Sequence, residues 1–90
     1  MSDLLAEITE ALTAVERTLD ALTSRGHDQA AFDLSKAHFG ARVRASWPAS
    51  LAPLVIALER VRDDETLKLS PEERATVASA AKTLQRVIDS

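Results

Sequence analysis

Leu5, Ile8, Leu12, Val15, Leu19 and Leu22 follow one another at spacings of 3, 4, 3, 4 and 3. This heptad pattern predicts one helix of about six turns over residues 3–25, with an apolar stripe that must be buried against other elements. Ser2 or Asp3 is the expected N-cap, and Gly26 the residue that stops the helix. With Leu5, Leu12 and Leu19 as a positions, the g positions are Leu4, Ala11 and Thr18, and the e positions Thr9, Glu16 and Thr23. A two-stranded coiled coil sets opposite charges at e and g. Here g is apolar or small, so the buried face is wider than a seam. That favours packing inside a globular bundle.

The second helix is expected to start at Asp28 as N-cap, and it carries two stripes. One holds the large residues Phe32, Phe39 and Val43 and ends near Trp47; the other is Ala31, Leu34, His38, Ala41 and Ala45. Two stripes predict a helix contacted on two sides. Gly40 lies inside it and suits either a close helix crossing or an early end. Pro48 sets the latest boundary, because it disfavours helical geometry at Trp47. A third helix takes Ser50 as N-cap and Pro53 in its first turn, with Leu51, Leu54, Val55, Leu58 and Val61 as its buried face. Ile56 falls off that face. Fraying is expected at Asp63-Asp64-Glu65, where the helix dipole disfavours anions. The fourth helix has the clearest start: Ser70-Pro71-Glu72-Glu73 supplies an N-cap, a proline without an orphan N–H and a glutamate that completes a capping box. Val77, Ala80, Ala81, Leu84, Val87 and Ile88 form its apolar face.

These elements predict an all-α fold, an antiparallel four-helix bundle in which a long N-terminal helix is packed by three shorter ones. Residues 1–90 form a single domain, since a chain of this size builds one modest core. Composition sharpens this picture: sixteen alanines, two glycines and three aromatics leave a core of Leu, Val, Ile and Ala.

The chemistry is mostly one of exclusions. With no cysteine, disulfides, thiolate nucleophiles and cysteine-ligated metals are absent. The acidic start has no leader character, and no apolar run approaches a membrane span, so a cytoplasmic protein is expected; eight arginines against three lysines, with abundant alanine, give it a bacterial-type composition. His38 has Leu34, Ser35, Ala41 and Arg42 at helical ligand spacing, none of them a good metal ligand. A histidine on a helical bundle also resembles histidine phosphotransfer domains, but Phe39-Gly40-Ala41-Arg42 follows it in place of their Lys-Gly pair. Asp63-Asp64-Glu65 and Glu72-Glu73 sit in a loop and at a helix start, where charge has local reasons. No catalytic residue, cofactor or metal is expected, and no enzyme. Thr66-Leu67-Lys68-Leu69-Ser70-Pro71-Glu72-Glu73-Arg74 resembles the strand-to-helix start of ribbon-helix-helix antitoxins. That resemblance implies a strand before the fourth helix; the alternative is a capped helix start with Leu69 tucked beneath it.

Charge is unevenly spread. Residues 1–33 hold seven acids and two bases, residues 34–58 hold Lys36, Arg42 and Arg44 with no acid, and residues 59–90 hold seven acids and six bases. The acid-free middle also contains Phe39, Val43, Trp47 and Ile56. Aromatics and arginine dominate interface hot spots. Phe39, Arg42, Val43, Arg44, Trp47 and Ile56 are therefore the candidate interface of a protein-interaction module that self-associates, as a homo-oligomer (dimer), or binds a helical protein partner. The alternative is a small nucleic-acid-associated regulator using the basic and aromatic segment 36–47, through Lys36, Arg42 and Arg44.

Overall fold

The computed structural model describes residues 4–90, the side chain of Arg44 excepted. Four α-helices run in the order α1 (Leu4–Ser24), α2 (Asp28–Ala41), α3 (Ala52–Asp63) and α4 (Pro71–Asp89). Short 3-10 turns at Arg44–Ser46, Ala49–Leu51 and Glu65–Leu67 fill the two longer connections. Each helix packs on its two neighbours in a ring, α1 on α2 and α4, and α3 on α2 and α4. The ion pair Arg25–Glu73 (2.8 Å) closes one end of the α1–α4 pair, and Arg86–Glu7 (3.4 Å) closes the other, which marks the two helices as antiparallel. The bundle is the expected one. Among the described residues no strand occurs.

The expected N-cap of α1 lies outside the described residues. At its other end Gly26 takes φ +79°, which costs a glycine little. The N–H of His27 donates to the carbonyl of Leu22 (2.9 Å) and that of Gly26 to Thr23 (3.1 Å). This Schellman pattern satisfies carbonyls that the helix end would otherwise orphan. The buried face of α1 is Ile8, Ala11, Val15, Thr18 and Leu22, with Leu12 and Leu19 half-buried. It is thus rotated from the a/d seam toward the small g residues. Leu5, the first seam residue, is 45% exposed. Small g side chains let α4 and α2 approach, and the hydroxyl of Thr18 stays satisfied by donating to the carbonyl of Ala14 (2.9 Å).

In α2 the structure corrects two expectations. His27, not Asp28, occupies the N-cap position, without a side-chain cap. Only the small stripe is contacted: Leu34, His38 and Ala41 are buried, while Phe32, Phe39 and Val43 face outward. The helix ends at Ala41, well before Pro48. A Cβ on Gly40 would meet nothing within 4 Å, so this glycine marks neither a tight crossing nor a close approach.

The start of α3 differs as well. Ser50 lies in the 3-10 turn that leads into the helix and donates to the carbonyl of Val43 (3.4 Å) instead of capping. Pro53 does fall in the first turn, and Leu54, Val55, Leu58 and Val61 are buried as the pattern requires. The end of α3 is tied, not frayed. Arg62 forks onto the carboxylate of Asp63, and Asp64 accepts the backbone N–H (3.0 Å) and the hydroxyl of Thr66. The segment that resembles a ribbon strand forms a 3-10 turn at Glu65–Leu67. Lys68 follows with φ 51°, and Leu69 lies buried beneath α4. Both capping-box bonds form: Glu73 N–H to Ser70 Oγ (3.1 Å), and Ser70 N–H to Glu73 Oε1 (2.9 Å).

Candidate functional site

Because only the small stripe of α2 is buried, its large stripe is left on the surface. At about 100° per residue, Phe32 and Phe39 fall within about 20° of one another, opposite Leu34 and Ala41, and Val43 follows just past the helix end. Phe32 is 63% exposed, Phe39 74% and Val43 49%. A single exposed apolar side chain is ordinary. Two phenylalanines on one side of a helix, with a valine just past its end, are exposed apolar surface of the kind that marks an interaction site.

Beside this stripe, α2 and α3 diverge around an open cleft of about 1070 Å³. It exists because the facing side of α2 carries small residues, Ala37 and Gly40 among them, which do not fill the space toward Pro53 and Ala57. Ile56, 53% exposed, stands on its α3 wall. Ile56 therefore has a place in the molecule that a simple bundle does not provide: it borders the cleft and not the core. A smaller hollow between α1 and α4 is walled by alanines, hydroxyls and the Arg86–Glu7 pair and offers no comparable apolar surface.

The candidate residues thus separate into groups. Phe39 and Val43 lie together on the exposed stripe, with Arg42 exposed at its C-terminal end. Ile56 lies across the cleft on α3. Trp47 is half-buried. It packs against the core, and its indole N–H donates to the carbonyl of Ala41 (2.7 Å), closing the turn after α2. Its indole is thus engaged within the chain, which sets it apart from the exposed Phe39 and Val43. The side chain of Arg44 lies outside the described residues. Sequence reasoning passed over Phe32, although its seven-residue spacing from Phe39 carried the signal.

His38 lies on the buried side of α2, 8% exposed, facing α1. Its Nε2 has no hydrogen-bond partner among the described residues, and the nearest carboxylate oxygen, Glu16 Oε1, stands 4.0 Å away. Burial holds its pKa below the ordinary imidazole value of 6.5; the Glu16 carboxylate opposes this and the Arg42 guanidinium adds to it. The imidazole is not open to a phosphoryl donor. No cluster of three metal-ligating side chains occurs among the described residues, and no helix there is long and apolar enough to cross a membrane.

The lowered pKa has a signed consequence. Below about pH 6.5 the unfolded chain protonates His38 while the folded chain resists, so stability falls as the pH drops through that value. The neighbouring depressed carboxyls act elsewhere. Asp63, Asp64 and Glu73 have pKa values below their ordinary 3.8, 3.8 and 4.5, so their contributions are present above those values and lost only in stronger acid. The thermal midpoint is therefore expected to be lower near about pH 5 than near about pH 7.5, and His38→Leu is expected to flatten that difference. Equal pH dependence in both proteins would remove His38 as its source.

No family model, no curated protein and no solved structure matches the chain.

Proposed function

We propose that the protein is a non-enzymatic interaction module that associates with copies of itself through the outer face of α2. The observation that carries this reading is the stripe of Phe32, Phe39 and Val43, exposed while the opposite side of the same helix is buried. Each phenylalanine left in water forgoes about 1.5–3 kcal/mol that burial against a partner would return. Aromatic anchors of this kind supply most of the affinity of protein interfaces.

Charge weighs against the nucleic-acid alternative. Against Lys36, Arg42 and Arg44 stand Asp28 and Asp33 on the same stretch, so the segment carries only one excess positive charge. A polyanion would meet repulsion as well as attraction there.

Light scattering across a concentration series tests the reading. The wild-type chain is expected to reach twice its 9.7 kDa mass as concentration rises. Phe39→Asp should hold it at the single-chain mass with its helical circular dichroism unchanged, because Phe39 contributes little to the core of the monomer. A wild-type chain that remains monomeric throughout would refute self-association.

A further inference from the structure

The charges beside the exposed stripe form a pattern that specifies how two copies meet. Along α2 the acids come first and the bases last: Asp28 and Asp33, then Lys36 and Arg42. Their placement around the helix is equally ordered. Measured from Phe32 at about 100° per residue, Asp33 and Lys36 lie on one flank, about 100° and 40° round, the flank that borders the cleft. Asp28 and Arg42 lie on the other flank, about 40° and 80° round. Each flank thus carries one acid in its N-terminal half and one base in its C-terminal half. Among the described residues none of these four charges is engaged in a salt bridge; Asp33 accepts only the amide N–H of Gln29 (3.1 Å).

We infer that the occupant of this stripe is a second copy of the chain, laid antiparallel, α2 against α2, with Phe32 of each copy on Phe39 of the other. The inference rests on the self-association reading above and adds its geometry. A two-fold axis normal to the plane of two antiparallel helices keeps each flank on its own side of the pair. The Phe32–Phe39 register sets Asp28 level with Val43 of the second copy, one position or about 1.5 Å from its Arg42. On the opposite flank Asp33 comes within two positions, about 3 Å along the axis, of Lys36 of the second copy. Both acids meet bases, and symmetry makes every pair twice. A parallel pairing in register would instead bring the acids of both copies together at one end of the pair and the bases at the other. The phenylalanines supply affinity in either arrangement; the charges on the rim select orientation and register.

Charge exchange reads this out. Asp28→Arg brings the introduced guanidinium beside Arg42 of the second copy at two symmetry-related places. It is expected to weaken dimerisation on the order of tenfold, as two rim pairs turn from attraction to repulsion. Adding Arg42→Asp restores the pairs with reversed sign, and dimerisation should return to within roughly threefold of wild type. Asp33→Lys, alone and with Lys36→Asp, repeats the experiment in the helix interior, should Asp28→Arg disturb the first turn of α2. Sedimentation equilibrium at low salt gives the dissociation constants, and circular dichroism the fold. If the single reversals leave dimerisation unchanged, or the double exchanges fail to restore it while Phe39→Asp still dissociates the protein, the antiparallel pairing is overturned and self-association stands. If the wild-type chain never dimerises, both are overturned and the stripe belongs to a different partner.

Discussion

Leu34→Ala is expected to cost the folded protein about 2–5 kcal/mol, whereas Phe32→Ser, two residues away on the same helix, is expected to cost less than about 0.5 kcal/mol. The larger side chain matters less because of where each points. Leu34 is fully buried in the core cluster, so truncation removes its transfer free energy and leaves a cavity that the surrounding helices only partly close. Phe32 stands mainly in water and leaves no cavity. For a domain of this size each kcal/mol shifts the thermal midpoint by about 4–8 °C, so Leu34→Ala should lower it by roughly 8–40 °C. Urea unfolding on dilute protein, where self-association does not contribute, gives both values. Comparable losses at the two sites would mean that α2 is packed on both sides, and the exposed stripe would cease to exist as a docking surface.

Trp47→Ala is expected to destabilise the protein by about 3 kcal/mol, and Trp47→Phe by about 1 kcal/mol. The alanine variant loses the ring that packs against the core, together with the bond from its indole N–H to the carbonyl of Ala41. Phenylalanine keeps most of the ring contact and loses only the bond, leaving that carbonyl to find another donor. Dimer dissociation measured on whatever fraction stays folded should be little changed, since the indole is engaged with the core and with the carbonyl of Ala41. Chemical denaturation followed by circular dichroism checks the first expectation, and sedimentation of the phenylalanine variant the second. Loss of association without loss of stability would return Trp47 to the interface.

Much of the fold was legible in the chain because helix signals are local. The heptad of α1, the Ser70–Glu73 capping box and the Gly26 stop depend on residues within a few positions of one another, and each formed. The candidate site was less legible. Phe39, Val43 and Trp47 fall near one helical stripe and are equally apolar, so periodicity gave them one reading. The backbone separated them: α2 stops at Ala41, the chain turns through Arg44–Ser46, and Trp47 swings back under the end of the helix while Phe39 stays outside. Ser50 was misread for a related reason. A serine before an apolar run suits an N-cap, but the preceding residues were already in a 3-10 turn, so the helix entered without one.

Local spacing and capping are enough to set the four-helix, all-α architecture, the places where α1 ends and α4 begins, the buried faces of α3 and α4, and the acid-first, base-last order of charges along α2. These follow from spacing, capping chemistry and composition, which act within a few turns of the chain. Which stripe of α2 is buried depends on the packing of the whole bundle. Both stripes have helical spacing, and the larger residues are on the one left outside. The small stripe went inward because Ala31, Leu34 and Ala41 let α2 sit close to α1 and α3, where phenylalanines would hold the helices apart. That choice buried His38, opened the cleft beside Gly40 and left Phe32 and Phe39 at the surface.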